Sequence, residues 1–216
     1  MFQRMPAFAA ALLLASGGLF SSAPRAQEAP VDRVPTAEEL AAPVSGPRAV
    51  LHTSMGEITI ELYPQQAPQT VRNFTEYARS GFYNGTVFHR VIPDMLIQGG
   101  AYTPDMQPKP TRAPIPLESN NGLSNLRGMV AAARAAQPDS ATSQFFINVV
   151  DNPRFDYSSE QSDYTRGYAV FGRVVDGMEV VDAIREVPTG ARAPLQRDVP
   201  ATPVTIERVE LLDAPE

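Results

Sequence analysis

The chain has 216 residues, of which 43% are hydrophobic and 19% charged, a composition typical of a soluble globular protein with one sizeable core. Its formal net charge of −6 and isoelectric point near 5.0 argue against a nucleic acid as partner, because proteins that bind polyanions present a basic face. Cysteine is absent, which excludes disulfides, thiolate metal sites and a lipid-modified N-terminal cysteine.

The N-terminus has the features of a secretory signal. Arg4 precedes an apolar run from Ala7 to Phe20, and residues 21–23 are small. The run is shorter than the ~20 residues that a membrane-spanning helix needs, so we expect no stable membrane insertion. We therefore predict a signal peptide over residues 1–26 and a periplasmic protein. A retained helix that is buried or anchors the chain is the alternative.

Residues 27–47 are rich in proline and alanine and show no sustained periodicity, which predicts a flexible linker. We expect one ordered domain over residues 48–213. Its first two strands are predicted at Ala49–Thr53 and Glu57–Leu62, where isoleucine and leucine alternate with polar residues. The two strands should form a hairpin with one buried face.

A helix is predicted to begin at Pro68, with Val71, Phe74 and Ala78 on one face and Gly81 as its stop. A second helix is predicted at Met178–Arg185, burying Val180, Val181 and Ile184, and the proline-rich stretch Pro104–Pro116 is predicted to be a loop. Further strands are predicted at Val87–Ile92, Met95–Gly99, Met129–Ala133, Gln144–Val149, Ala169–Val175 and Val204–Leu211. Many short strands with two helices indicate a mainly β fold, a closed or nearly closed antiparallel barrel that leaves few strand edges free.

One predicted strand pair carries polar residues in an otherwise apolar setting. Within residues 87–100, Arg90 and Gln98 are surrounded by valine, isoleucine, leucine, methionine and phenylalanine. A guanidinium in such a setting is costly unless it has a partner or a task. The purely structural interpretation is an arginine at a strand edge that pairs with a carboxylate.

Together with Ser143–Asn148 and Tyr168–Gly172, residues 87–100 closely resemble the cyclophilin family of peptidyl-prolyl cis-trans isomerases. The resemblance runs from about Arg48 to Leu212. It implies a closed eight-stranded antiparallel β-barrel capped by two α-helices, and isomerisation of X-Pro bonds in unfolded or partly folded polypeptides. It implies no cofactor, and we expect a monomer.

The resemblance also assigns a site. Arg90 corresponds to the donor that contacts the prolyl nitrogen, and Gln98 and Gln144 to glutamines that hold the arginine and the substrate backbone. The residues that line the proline pocket or contact the residues before proline correspond to Met95, Leu96, Ala133, Arg134, Ala135, Phe146, Phe155 and Tyr168. Plain barrel core remains the alternative for each apolar residue, and a satisfied strand amide for each glutamine.

The sequence departs from many eukaryotic relatives at the edge of this site. Arg154 stands where they carry a tryptophan that binds cyclosporin, and residues 157–167 form a polar insertion. Met95 replaces the usual phenylalanine, Tyr168 an often-found histidine, and Arg134 a frequent asparagine. These changes leave an apolar site in place, but they put drug affinity and substrate preference in question.

Other catalytic classes lack their usual residues. The two histidines, His52 and His89, are too few for a multi-histidine metal site, and His89 is expected to point away from Arg90 and to pack in the interior. No G-x-S-x-G, H-E-x-x-H, Walker or G-x-G-x-x-G motif occurs. The rivals to an isomerase are a non-catalytic peptide-binding module or holdase on the same barrel, and a signal-anchored structural protein.

Overall fold

The computed structural model describes residues 46–213. The predicted signal peptide and residues 27–45 of the predicted linker lie outside the described residues. Within residues 46–213 the helices are α1 (Pro68–Arg79) and α2 (Met178–Arg185). The strands are β1 (Arg48–Thr53), β2 (Gly56–Leu62), β3 (Thr86–Ile92), β4 (Leu96–Gly99), β5 (Met129–Ala132), β6 (Phe145–Asn148), β7 (Val170–Asp176), β8 (Thr189–Arg192), β9 (Leu195–Pro200) and β10 (Thr205–Leu212). Neither α1 nor α2 is long and apolar enough to cross a membrane.

Eight of these strands form a closed antiparallel barrel in the order β1-β10-β3-β4-β6-β5-β7-β2. This confirms the predicted fold class, and the ends of the predicted barrel strands differ from the observed ones by at most one residue. Closure gives every barrel strand two neighbours, so the barrel presents no unpaired edge to other chains.

Helix α1 lies against the barrel core through Val71, Phe74 and Tyr77, all buried. Its first residue is Pro68, whose missing N–H is no loss in the first turn. The residue before Pro68, Ala67, has no side chain that can cap the helix, and Glu118 supplies the cap instead. Its carboxylate accepts hydrogen bonds from the backbone N–H groups of Gln69 and Thr70 at 3.0 and 2.8 Å.

The core of the barrel is aromatic where α1 meets it. The ring of Phe74 lies 5.2 to 5.6 Å from those of Tyr83, Phe145 and Phe171, in tilted or edge-to-face contacts. Helix α2 adds Val181 and Ile184 to the same core, while Val180, predicted to be buried, is only partly covered. Both helices therefore anchor to one apolar interior.

Gly177 joins β7 to α2 where the chain has no room for a side chain. Its φ of +82° lies in the left-handed region, and a Cβ there would come within 2.1 Å of the carbonyl oxygen of Glu57. Only glycine meets both conditions without displacing β2.

Strands β8 and β9, which the sequence did not predict, form a separate antiparallel hairpin outside the barrel. All four residues of β8 are exposed, so no apolar alternation marks this strand in the sequence. At the end of β9, Val199 and Pro200 are buried. The hairpin is thus docked at one end and open to solvent along the rest.

His89, on β3, is 3% exposed and its ring lies 4.8 Å from that of Tyr102, which confirms that it packs in the interior. Burial lowers the pKa of His89 from 6.5 to about 4, and contacts with the Val87 backbone and the Gln144 side chain offset this only in part. In the unfolded chain this histidine titrates near 6.5.

The lowered pKa of His89 predicts an acid-dependent loss of stability. Between pH 6.5 and about 4 the unfolded state binds more protons than the folded state, so stability present above pH 6.5 is lost as the pH falls. We expect His89 to contribute up to ~3 kcal/mol to this loss in the free energy of unfolding. Urea unfolding across this pH range, for the wild type and His89→Gln, measures it. Parallel pH profiles for the two proteins would contradict the prediction.

Candidate active site

Strand β6 presents side chains to two apolar regions at once. Phe145 and Ile147 point into the barrel core, while Phe146, between them, belongs to a second cluster on the outer side of the barrel wall. All four residues of β6 are buried. The outer face of this strand is therefore covered by loops of the protein and is not open sheet surface.

Strand register lines up the site in one row across five strands. Arg90 on β3 pairs with Gln98 on β4, Gln98 with Phe146 on β6, Phe146 with Ala131 on β5, and Ala131 with Val170 on β7. Because side chains at paired positions of a sheet point to the same face, the row carries one polar end and one apolar end.

The apolar end is a cluster that we call the outer cluster. Its buried members are Leu96, Met129, Ala131, Ala133, Phe146 and Val170, and its half-buried members are Tyr63, Met95, Leu123, Leu126, Phe155 and Tyr168.

Three aromatic rings shape the outer cluster. The rings of Phe146, Phe155 and Tyr168 lie 5.2 to 5.8 Å apart, each edge-to-face with the other two. Phe146 is 2% exposed, whereas Phe155 and Tyr168 remain half-buried, as does Met95. The cluster is thus an apolar surface with a buried base and a rim that solvent reaches, which suits a small apolar ring.

The polar end is a chain of side-chain hydrogen bonds. The Arg90 guanidinium donates from Nη1 to Oε1 of Gln98 at 3.4 Å, and Nε2 of Gln98 donates to Oε1 of Gln144 at 2.8 Å. Nε of Arg90 lies 3.9 Å from a carboxylate oxygen of Asp198. Among residues 46–213, Nη2 of Arg90 has no hydrogen-bonding partner. Nη1 is thus held by the protein and Nε faces a carboxylate, while Nη2 is available to a ligand.

Buried amides hold the loops that carry the outer cluster. Asn152 donates to the backbone oxygen of Met95 and to the side chain of Asn148, both at 2.9 Å. Asp156 accepts hydrogen bonds from the backbone and side-chain N–H groups of Asn125 at 2.6 and 3.0 Å. These four polar residues were not predicted from the sequence. The sequence marks them only weakly, by Asn148 at the end of the apolar strand β6 and Asn152 four residues later.

Arg134 lies beside the outer cluster but is engaged by the protein itself. Its guanidinium donates to the backbone oxygens of Ala135, Ala136, Asp163 and Gly167, and it lies 5.0 Å above the ring of Tyr168. The insertion at residues 157–167 is thereby fastened next to the aromatic rim. A role for the Arg134 side chain in contacting substrate stays a prediction.

The insertion also meets the neighbouring loop closely. A Cβ at Gly167 would lie 2.6 Å from the carbonyl oxygen of Phe155, and the φ of +61° at Gly167 favours glycine as well. Arg154 is exposed, with its guanidinium 5.1 Å from the centre of the Phe155 ring. The rim is thus built here from an arginine that lies on an aromatic ring.

The structure brings the predicted site residues together. Arg90, Gln98 and Gln144 form the polar chain. The predicted pocket residues Met95, Leu96, Ala133, Phe146, Phe155 and Tyr168 belong to the outer cluster, and Arg134 lies against the ring of Tyr168. Ala135 is exposed and is not a member of the cluster. The arrangement offers an apolar surface next to a cationic hydrogen-bond donor. In the described part of the chain, no three His, Cys, Asp or Glu side chains are grouped as a metal site would require.

Known proteins with the same features are numerous. Residues 48–211 match the family described as cyclophilin type peptidyl-prolyl cis-trans isomerase/CLD. A peptidyl-prolyl cis-trans isomerase of Streptomyces antibioticus is 54% identical over 162 residues, covering 75% of this chain and 96% of that protein. Peptidyl-prolyl cis-trans isomerase B of Escherichia coli is 53% identical over 158 residues, covering 73% and 95%.

A solved structure agrees on the fold. The crystal structure of a cyclophilin type peptidyl-prolyl cis-trans isomerase of Cryptosporidium parvum superposes with a TM-score of 0.62 at 24% identity, covering 78% of this chain and 99% of that one. The barrel, the match over residues 48–211 and the identities above 50% agree with one another. The chain therefore belongs to the cyclophilin-type family of peptidyl-prolyl cis-trans isomerases and is an enzyme of that class.

Proposed function

We propose that Arg90 drives isomerisation by donating a hydrogen bond to the prolyl nitrogen of a substrate whose proline ring rests on the outer cluster. One observation carries this proposal: the guanidinium is held on one edge by Gln98 while Nη2 has no partner among the described residues. It lies in the strand row that leads to Phe146, beside the apolar surface.

The chemistry of the X-Pro bond explains how such a donor would accelerate isomerisation. Rotation breaks amide resonance against a barrier of roughly 18 to 20 kcal/mol. In the twisted state the nitrogen becomes pyramidal and its lone pair is localised, whereas in the planar state the same pair is delocalised into the carbonyl group. A donor aimed at that lone pair binds the transition state more tightly than the ground state, which is the condition for faster turnover.

Magnitudes show that Arg90 is one part of the catalyst. A hydrogen bond from a charged group contributes about 1.5 to 3 kcal/mol. An acceleration of ~10⁶-fold needs about 8 kcal/mol. The remainder must come from a site shaped to favour the twisted peptide, with the proline ring against Phe146 and the flanking backbone held by Gln98 and Gln144.

We infer that the enzyme acts as a monomer in the periplasm, on proline-containing polypeptides that are still unfolded after export. The support is the sequence pattern of residues 1–26, which is that of a secretory signal. Slow X-Pro isomerisation limits folding, with half-times of tens of seconds, so an isomerase beside newly exported chains shortens that step. A holdase that only binds such chains is the competing role.

Replacing Arg90 tests the mechanism. We expect Arg90→Ala to lower the isomerisation rate by ~10 to 10²-fold with the fold intact, because the donor is lost while the barrel core is untouched. A protease-coupled assay on a short X-Pro peptide measures the rate, and circular dichroism monitors the fold. Arg208→Ala, at an exposed arginine paired with Glu210 on β10, is the matched control and should keep full activity.

Equal rates for Arg90→Ala and the wild type would refute the arginine mechanism. Loss of activity together with unfolding would instead favour the interpretation of Arg90 as a structural ion-pair partner. A holdase role predicts that Arg90→Ala still suppresses aggregation of an unfolded client as well as the wild type does.

Cyclosporin A should inhibit this enzyme weakly while catalysis persists. The drug relies on a tryptophan that packs against it and donates a hydrogen bond, and this chain has no tryptophan. Arg154, exposed above the ring of Phe155, would have to lose water to meet a largely apolar macrocycle. Loss of such an anchor costs at least ~2 kcal/mol, more than tenfold in affinity.

An inhibition titration beside a tryptophan-bearing relative measures this difference. Arg154→Trp is the matched gain-of-affinity variant and should tighten inhibition with little change in turnover. Inhibition of the wild type as tight as that of the relative would show that Arg154 or Phe155 is not placed where the sequence comparison puts it.

Export is tested by the chemical N-terminus. In a Gram-negative host that expresses the full chain, we expect mass spectrometry of the periplasmic fraction to find a mature start between Ala23 and Pro30. Leu13→Arg interrupts the apolar run and should block processing. Recovery of full-length protein from the membrane fraction would favour the anchored alternative.

A further inference from the structure

The β8–β9 hairpin lies outside the barrel, yet it brings a carboxylate to the active site. Strand β9 contacts β3, and Oδ2 of Asp198 lies 3.9 Å from Nε of Arg90. The side chains are 25% and 38% exposed, so water only partly screens the pair. Closing the barrel does not require this hairpin, because the eight barrel strands pair without it.

The backbone at Asp198 is bent to make this contact. Its φ of +65° is in the left-handed region, which costs most non-glycine residues roughly 1 to 2 kcal/mol, although aspartate and asparagine adopt it more readily. The register of β8 and β9 also shifts between Gly190 and Arg192. Irregularities of this kind re-aim a side chain and are common beside active sites. Here Gln196 and Arg197 are exposed, whereas Asp198 is turned inward.

The free energy that the contact between Asp198 and Arg90 adds to folding is too small to explain why the hairpin makes it. A partly exposed ion pair contributes ~0 to 1 kcal/mol, which at best offsets the backbone strain at Asp198. Arg197, 83% exposed, lies 3.5 Å from the same carboxylate oxygen and already gives Asp198 a cation in solvent. A constraint other than folding therefore has to explain why the hairpin aims this carboxylate at Arg90.

We propose that Asp198 is a positioning residue that sets the direction of the Arg90 guanidinium. Gln98 holds Nη1 and Asp198 lies beside Nε, so the planar group is constrained at two of its three nitrogens. The third, Nη2, is left to point at the substrate. A planar guanidinium with a hydrogen bond at Nη1 and a carboxylate 3.9 Å from Nε rotates less freely than an unpartnered one, and pre-orientation of a donor raises the rate without adding a contact to the substrate.

This inference rests on the proposed role of Arg90, and its test separates the two. Asp198→Gly removes the carboxylate while accepting the left-handed backbone, so the hairpin is not strained by the change. We expect kcat for an X-Pro peptide to fall roughly threefold to tenfold with KM unchanged, because ground-state binding depends on the outer cluster. Asp198→Asn also tolerates this backbone and keeps an oxygen acceptor, so it should recover part of the loss.

A double-mutant cycle decides whether Asp198 acts through Arg90. In an Arg90→Ala background, Asp198→Gly should cause no further loss of kcat. Full independent loss in that background would overturn the inference, as would a wild-type kcat for Asp198→Gly. If Arg90→Ala itself is fully active, the proposed mechanism fails first.

Two control variants test for general effects of charge. Asp182→Asn removes a partly exposed carboxylate that pairs with Arg127 and not with Arg90. The Asp182 side chain is 37% exposed, against 25% for Asp198. Asp182→Asn should leave kcat unchanged. Arg197→Ala removes the competing solvent cation and should also leave kcat at the wild-type level or slightly above it. A fall in kcat for either control equal to that of Asp198→Gly would count against a specific role for Asp198.

Discussion

The register of β4 between β3 and β6 is the constraint on which the active site depends. A shift of one residue would turn Gln98 into the barrel and move Ile97 outward, because side chains alternate along a strand. Arg90 would then lose its partner, and the row leading to Phe146 would be broken. Closure of the barrel fixes this register, since β4 is hydrogen-bonded on both edges and cannot slide independently.

Whether a strand is buried or exposed explains which elements could be predicted from the sequence and which could not. Strand β6 is an apolar run in the sequence because both of its faces are buried: Phe145 packs in the barrel core and Phe146 in the outer cluster. Strands of this kind could be predicted from such runs, and the helices from their periodic faces. The β8–β9 hairpin could not, since all of β8 is exposed and it has no apolar pattern. Its docking through Val199 and Pro200 depends on contacts distant in sequence.

The same distinction applies to the site. The resemblance assigned Arg90, Gln98, Gln144 and the aromatic rings to the site, and in the structure these residues form the polar chain and the outer cluster. It did not reveal how Arg134 is used, because two of the four carbonyls that its guanidinium binds belong to an insertion whose path is set by tertiary structure. Nor could it reveal Asp198, whose proximity to Arg90 follows from a left-handed residue in an unpredicted hairpin. Side chains that act by holding other side chains leave little trace in a single sequence.

The charges around Arg90 limit the net positive field at the site, so the guanidinium is suited to donate a directed hydrogen bond. Burial keeps His89 neutral at physiological pH, so the residue next to Arg90 adds no second positive charge. On the other side, the Asp198 carboxylate at 3.9 Å partly balances the guanidinium. An unbalanced cation would attract the substrate carbonyl oxygens of the planar and twisted states alike, which strengthens binding without lowering the barrier. In the proposed mechanism, a balanced guanidinium with Nη2 free acts mainly through a directional hydrogen bond, and the prolyl nitrogen accepts that bond only when it becomes pyramidal.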